Sequence, residues 1–259
     1  MRGGEPIRRP IRCRSMIARH LRVISRITAF VKPSPEEVKY LQTTKFEDSR
    51  AAAGETILPD GNGSGLALIV DGWAANAVIN ADGTTRVHAI HLPGDIAGMA
   101  SSVLAEPFDN TYAITDTVFT VVSKDFLRRT FEEQPRLAAA IFLIAQEERA
   151  MRMEWGALAQ STGAARRLAA FLYRLGERVR RLMEDEPDAI ELPLTQKLVG
   201  EAIGVTPVYM NRLVKEFRDM GLLDVRLSLL VLADMPGLAR FARLEPWRVR
   251  TPAWLPEAA

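Results

Sequence analysis

Residues 200–213 read GEAIGVTPVYMNRL, which sets a helix stop and a helix start two residues apart. Gly204 can adopt the left-handed backbone that ends a helix, while Thr206 followed by Pro207 supplies the cap and first turn of the next one. Two short helices joined so tightly must cross at a steep angle. The flanks extend the unit: Thr195 caps the first helix and Gly221 ends the second. LLDVR and LLVLA then read as two short strands around Leu227-Ser228, and Pro236 opens a last helical piece. Helix, tight turn, helix and wing are the outline of a winged helix-turn-helix.

The second helix has two unlike faces. At about 100° per residue, Val208, Asn211, Arg212 and Lys215 share one side, and Met210, Leu213, Val214 and Phe217 centre on the other. The apolar side predicts core. The polar side suits a DNA major groove: Arg212 can donate twice to a guanine, Asn211 can pair with adenine or a backbone oxygen, and Val208 can pack on a thymine methyl. Lys215 and Arg218 would meet phosphates, and Thr206 and Tyr209 sit at the helix amino end, which favours an anion. The DNA-contacting set is therefore Thr195, Gln196, Thr206, Pro207, Val208, Tyr209, Asn211, Arg212, Lys215 and Arg218.

Upstream, Gly54 to Val122 consists of short β-rich pieces parted by turn signals at GNGSG (61–65), Asp71-Gly72, Asp82-Gly83 and Pro93-Gly94-Asp95. That spacing predicts a small antiparallel barrel or jelly roll. Leu137, Ile141, Ile144, Glu148, Met151, Trp155 and Leu158 then follow at alternating steps of four and three, the a/d seam of a helix that pairs with its own copy, broken only by Glu148. Ser161-Thr162-Gly163 interrupts the pattern before an amphipathic helix over 164–183, and forms a candidate hinge. EDEPDAIELP reads as an acidic loop. The expected fold class is α+β: a basic arm (1–26), an antiparallel, jelly-roll-like β-roll (27–134), a long dimerisation helix (135–160) and a C-terminal winged helix-turn-helix domain (161–259).

Composition narrows the function classes. The 259 residues are 47% hydrophobic, enough to fill real cores. The longest apolar stretch, Leu137–Ala145, is too short to span a bilayer, and no hydrophobic signal region opens the chain, so a cytoplasmic location is expected. The net charge of +2 hides an asymmetry: residues 1–26 carry eight Arg and one Glu, or +7, leaving −5 for the rest. Cys13 is the only cysteine, which excludes an internal disulfide and a cysteine-held iron–sulfur cluster. No catalytic grouping, P-loop or dinucleotide fingerprint appears, so no enzyme is expected. A cupin-like metalloenzyme would rest on His88 and His91. Three apart, they would fall on opposite faces of a strand, and no metal site is expected. A further alternative is a β-roll scaffold whose terminal module docks a protein.

With these residues in view, LTQKLVGEAIGVTPVYMNRLVKEFRDMGLL (194–223) resembles the DNA-binding end of the Crp/Fnr superfamily of bacterial transcription regulators. The resemblance covers roughly residues 27–245 and is most specific over 195–223. It implies a homodimer on a two-fold symmetric DNA site, with RNA polymerase as a further partner. The family's recognition arginine falls on Arg212. A glutamate common four residues earlier is Val208 here, and an arginine seen before it is Pro207, which implies a different base preference. The resemblance places an effector pocket at Gly94, Asp95, Gly98, Met99, Ser101, Asn110 and Thr111. Met99–Ser101 stand where cyclic-AMP-binding members have a glutamate, and Asn110-Thr111 where they have Arg-Ser. Without that arginine a buried phosphate loses a charge-assisted contact, so cyclic AMP is not expected and the effector is unknown.

Overall fold

A computed structural model describes residues 26–28, 30–44, 46–58, 66–81, 83–100, 102, 104, 109–183, 189–227 and 229–255. The basic arm up to residue 25, Cys13, the GNGSG turn, Asp82, Ser101 and Ser228 lie outside the described residues. Helix α1 (Pro35–Thr43) starts on a capping box, in which the Ser34 hydroxyl accepts from the Glu37 amide and the Glu37 carboxylate accepts from the Ser34 amide.

Eight strands follow: β1 (Asp48–Ala51), β2 (Thr56–Leu58), β3 (Leu66–Asp71), β4 (Ala74–Ile79), β5 (Thr85–His91), β6 (Ile96–Ala97), β7 (Asn110–Ala113) and β8 (Thr117–Val122). They form two four-stranded sheets, β1-β8-β3-β6 and β2-β7-β4-β5, with antiparallel pairing throughout. Ala67, Ile69, Ala74, Ala97, Ala113 and Phe119 fill the roll between them. The Asp71-Gly72 turn needs its glycine, because at φ +81° an added Cβ would lie 2.4 Å from the Asp116 carbonyl oxygen.

The helical part comprises α2 (Lys124–Glu133), α3 (Pro135–Ser161), α4 (Ala164–Arg180), α5 (Gln196–Ile203), α6 (Pro207–Asp219) and α7 (Met235–Ala242). The wing strands are present as β10 (Leu223–Arg226) and β11 (Leu229–Leu232), and a third strand, β9 (Ile190–Thr195), completes the sheet in the order β10-β11-β9. Part of the acidic loop read from EDEPDAIELP is thus a strand, whose Ile190, Leu192 and Leu194 alternate into the core.

One apolar cluster joins the β-roll to the C-terminal module. It holds Ala75, Ala77, Val87, Ile90 and Leu92 from the roll together with Leu168, Leu172, Leu175, Val199, Ile203, Leu213 and Phe217. Each large side chain so buried contributes about 1.5–3 kcal/mol. Residues 243–255 depart from the single terminal domain expected from the sequence. Arg243, at φ +55°, ends α7, and the chain turns back across α3. There the Trp247 ring lies under Arg174, the Thr251 hydroxyl donates to the Phe30 carbonyl, and Leu255 is buried with Ile27, Val31 and Leu137.

Candidate nucleic-acid interface

The joint between α5 and α6 forms by local chemistry. Gly204 caps α5 in the left-handed region (φ +71°, ψ +44°), and Thr206 caps α6 by accepting from the Tyr209 amide, with Pro207 in the first turn. Arg167 braces this corner, donating to the Ile203 carbonyl from Nε and to the Thr162 carbonyl from Nη1. Met210, Leu213, Val214 and Phe217 are buried, which fixes the rotation of α6 about its axis. Asn211, Arg212 and Lys215 are therefore exposed, and Val208 stands 81% exposed beside them.

The remaining residues of the set vary. Thr195 is the N-cap of α5, accepting from the Leu198 amide, and Gln196 is half-buried with a side-chain oxygen that has no partner among the described residues. Arg218 is exposed but lies 3.4 Å from Asp224 of the wing, so its charge is shared. At the wing tip Arg226 is exposed, 3.5 Å from Glu191 and 4.0 Å from Asp224. Leu227 is 73% exposed at φ +48°, and its identity gives no sequence signal for that position.

Residues 166–241 match the family described as the Crp-like helix-turn-helix domain. The transcriptional regulatory protein btr of Bordetella pertussis is 24% identical over 159 residues, 61% of this chain and 65% of its own length. The anaerobic regulatory protein of Haemophilus influenzae is 24% identical over 66% of each. The chain thus spans less than two thirds of the length of these curated relatives, 65% and 66%. Among solved structures, FixK2 from Bradyrhizobium japonicum shares the fold with TM-score 0.67 at 20% identity, over 76% of this chain and 98% of that one. TTHA1359 of Thermus thermophilus, a CRP/FNR-family transcriptional regulator, gives TM-score 0.62 at 18% identity over 76% and 98%. Residues 166–241 thus form a Crp-like helix-turn-helix domain, and the chain as a whole is similar in fold to regulators of the CRP/FNR family.

The expected dimer seam is largely covered by its own chain. Leu137, Ile144, Glu148 and Leu158 are buried, and Ile141, Met151 and Trp155 are half-buried, Trp155 against Phe171. Four of the seven seam residues are thus buried within the single chain, and a four-three stripe marks an apolar face without saying which chain covers it. The outward side of α3 instead carries Phe142 (51% exposed), Arg149 and Met153 (64% exposed).

Among the described residues, those assigned to an effector pocket do not converge on a free charge. Gly94, Asp95 and Thr111 are buried, while Gly98, Met99 and Asn110 are half-buried. The Asp95 carboxylate accepts from the Leu92 amide and from Arg178 of α4, with Arg26 3.5 Å away. Burial alone would raise this carboxyl, but Arg178 and Arg26 outweigh it and hold the group below its ordinary value. Arg26 and Arg181 in turn flank Glu147 at 2.5 and 3.1 Å.

His88 and His91 behave differently from the simple alternation expected of a strand. The register of β4 against β5 shifts at Asn76/Ala77, and the two rings end on one polar chain. His91 Nε2 lies 2.5 Å from the Asn76 amide oxygen, Asn76 donates to Asp109, and His88 lies 2.9 Å from the same carboxylate. A bulge resets which face each residue takes. Burial lowers the His91 pKa to about 4, so the ring is neutral at physiological pH.

Proposed function

We propose that the chain acts as a homodimeric, sequence-specific DNA-binding regulator, with the division at 1–26, 27–134, 135–160 and 161–259 describing its functional parts. The observation that carries this is the outward face of α6, where Val208, Asn211, Arg212 and Lys215 are exposed opposite a buried apolar face. Arg212 reads a guanine, Asn211 an adenine or backbone oxygen, and Lys215 a phosphate. The exposed stripe on α3 supports pairing of two copies, which sets the recognition helices on half-sites about 34 Å apart. The β-roll transmits its state through the Ser161–Gly163 joint, and RNA polymerase is the proposed further partner. No described helix is long and apolar enough to cross a membrane, and we assign the protein to the cytoplasm.

Selection of bound sequences from random duplex DNA tests the reading. The expected outcome is a two-fold symmetric motif with one-turn half-site spacing and a steep loss of affinity with salt, since phosphate contacts release counterions. Recovery of no enriched motif would instead favour a terminal module that docks a protein.

A further inference from the structure

A cavity of about 110 Å³ opens where β5, α3 and α4 meet. Ile90, Met151, Trp155, Phe171 and Leu175 make its apolar walls, with the Trp155 and Phe171 rings edge to face at 5.7 Å. Most of its polar groups are already satisfied. Arg178 is held by Asp95 and the Ile90 carbonyl, and Arg174 by Glu154, Glu177 and the Glu245 carbonyl. His91 is bound to Asn76, and His88 contacts Asp109.

Glu148 is the exception. The residue is only 8% exposed, and its Oε1 is buried without a hydrogen-bond partner among the described residues. Its other oxygen sits 3.7 Å from Arg152, the one lining guanidinium without a tight partner among the described residues. A buried polar atom left unmatched carries a free-energy penalty that a ligand group can relieve.

We propose that this cavity binds a small apolar monocarboxylic acid, its ring or short chain between Trp155, Phe171 and Leu175 and its carboxylate between Arg152 and the Glu148 carboxyl. Size and charge both point there. A cavity of about 110 Å³ is near the about 150 Å³ that takes up benzene and well below the roughly 300–1,000 Å³ of drug-sized sites, so a nucleotide does not fit. Of the three lining arginines, Arg174 and Arg178 are paired with carboxylates, so Arg152 is the cation left to repel an ammonium and favour an anion. Burial, then Asp95, raise the Glu148 pKa to about 7 against the opposing pull of Arg152, Arg178 and Arg26. The protonated carboxyl then donates its O–H to the bound carboxylate, so binding takes up a proton at alkaline pH. Glu148 is faced by Asp95, Arg26, Arg152 and Arg178, and it shares the cavity lining with His88 and His91 of the β-roll, Arg174 of α4 and Glu154 on its own helix. The cavity's walls come from both modules, so any effect of the ligand on DNA rests on the regulator reading, whereas its binding does not.

Calorimetric titration of the full chain, without DNA, tests this with benzoate and hexanoate against benzylamine and benzyl alcohol. The acids are expected to bind at least tenfold tighter than the amine or the alcohol, and about tenfold tighter at pH 6 than at pH 8. Glu148→Gln should keep acid binding, through its amide N–H, and abolish the pH dependence. Arg152→Leu should remove the preference for acid over alcohol. Amine binding as tight as acid binding, no heat with either acid, or acid binding indifferent to both substitutions overturns the proposal. With no DNA present, that failure is distinct from failure of the regulator reading.

Discussion

Arg178 of α4 donates to the carboxylate of Asp95 in the Pro-Gly-Asp turn after β5, joining the helix-turn-helix module to the β-roll through a buried ion pair. The same turn that resemblance places in an effector pocket therefore serves as a strut between modules. Because the pair sits beside the shared apolar cluster, the relative placement of roll and recognition helix is set by charge as well as by packing.

Removing one partner of that pair should be far more harmful than removing both. Asp95→Asn leaves Arg178 and Arg26 buried without a full countercharge, and a loss of about 3–5 kcal/mol is expected in urea unfolding. Asp95→Asn combined with Arg178→Met should lose clearly less than the two single losses added together. Strict additivity would mean the two side chains are not coupled.

Two buried groups should make opposite contributions to stability below neutral pH. Glu148 has its folded pKa raised to about 7 from 4.5, so its contribution increases as pH falls through that range. His91 has its folded pKa lowered to about 4 from 6.5, so its contribution is lost as pH falls from 6.5 toward 4. Asp95, held below 3.8, acts only under that value. The wild-type chain should therefore be nearly flat between pH 6.5 and 4.5, whereas Glu148→Gln should lose about 2–3 kcal/mol across that window. Denaturant titrations at three pH values decide it, and a flat profile for the variant would remove Glu148 as the balancing group.

On the exposed face of α6, Arg212→Ala should weaken the selected site by about 1–3 kcal/mol and relax preference at one position. Lys215→Ala should weaken all duplexes alike and lower the salt slope by about 1. Binding to a panel of single-base variants separates the two, and an unchanged ranking for Arg212→Ala would sink its role as base reader.

The parts legible in the sequence are those made by neighbours in the chain. Gly204 and Thr206-Pro207 fix the helix joint whatever surrounds them, and the alternation of β-rich pieces with turns was enough for an antiparallel roll. β9 was missed because Glu191 and Pro193 break up an alternating Ile190, Leu192, Leu194 pattern beside an acidic run. The ion pairs among Arg26, Asp95, Glu147, Arg178 and Arg181 were illegible for a different reason: they join residues far apart in the chain, each ordinary in its own context. Glu148 did leave a mark, as the one charge inside an apolar stripe.

Gly204→Ala should strain the helix joint itself. The residue sits at φ +71°, and a Cβ would come within 3.2 Å of Arg86 Nη1 on β5. A left-handed non-glycine residue costs about 1–2 kcal/mol, so thermal unfolding should shift by that amount with DNA affinity falling in parallel. No change in either would show that the joint can relax.

Pairing through α3 is best tested where the single chain leaves apolar surface uncovered. Phe142 and Met153 are eleven residues apart, so at about 100° per residue they differ by only about 20° around the helix. Both are more than half exposed, which is unusual for side chains of this size on a helix whose other face is buried. Met153→Glu puts a carboxylate on that stripe, and across a two-fold axis it would be brought toward its own copy. Since the side chain is 64% exposed in one chain, the substitution should leave the melting of the monomer within about 0.5 kcal/mol of wild type. Sedimentation should show the dimer dissociating at concentrations where the wild type remains paired, with DNA affinity lost in step because one half-site no longer recruits the other. An unchanged sedimentation coefficient would move the interface off this stripe.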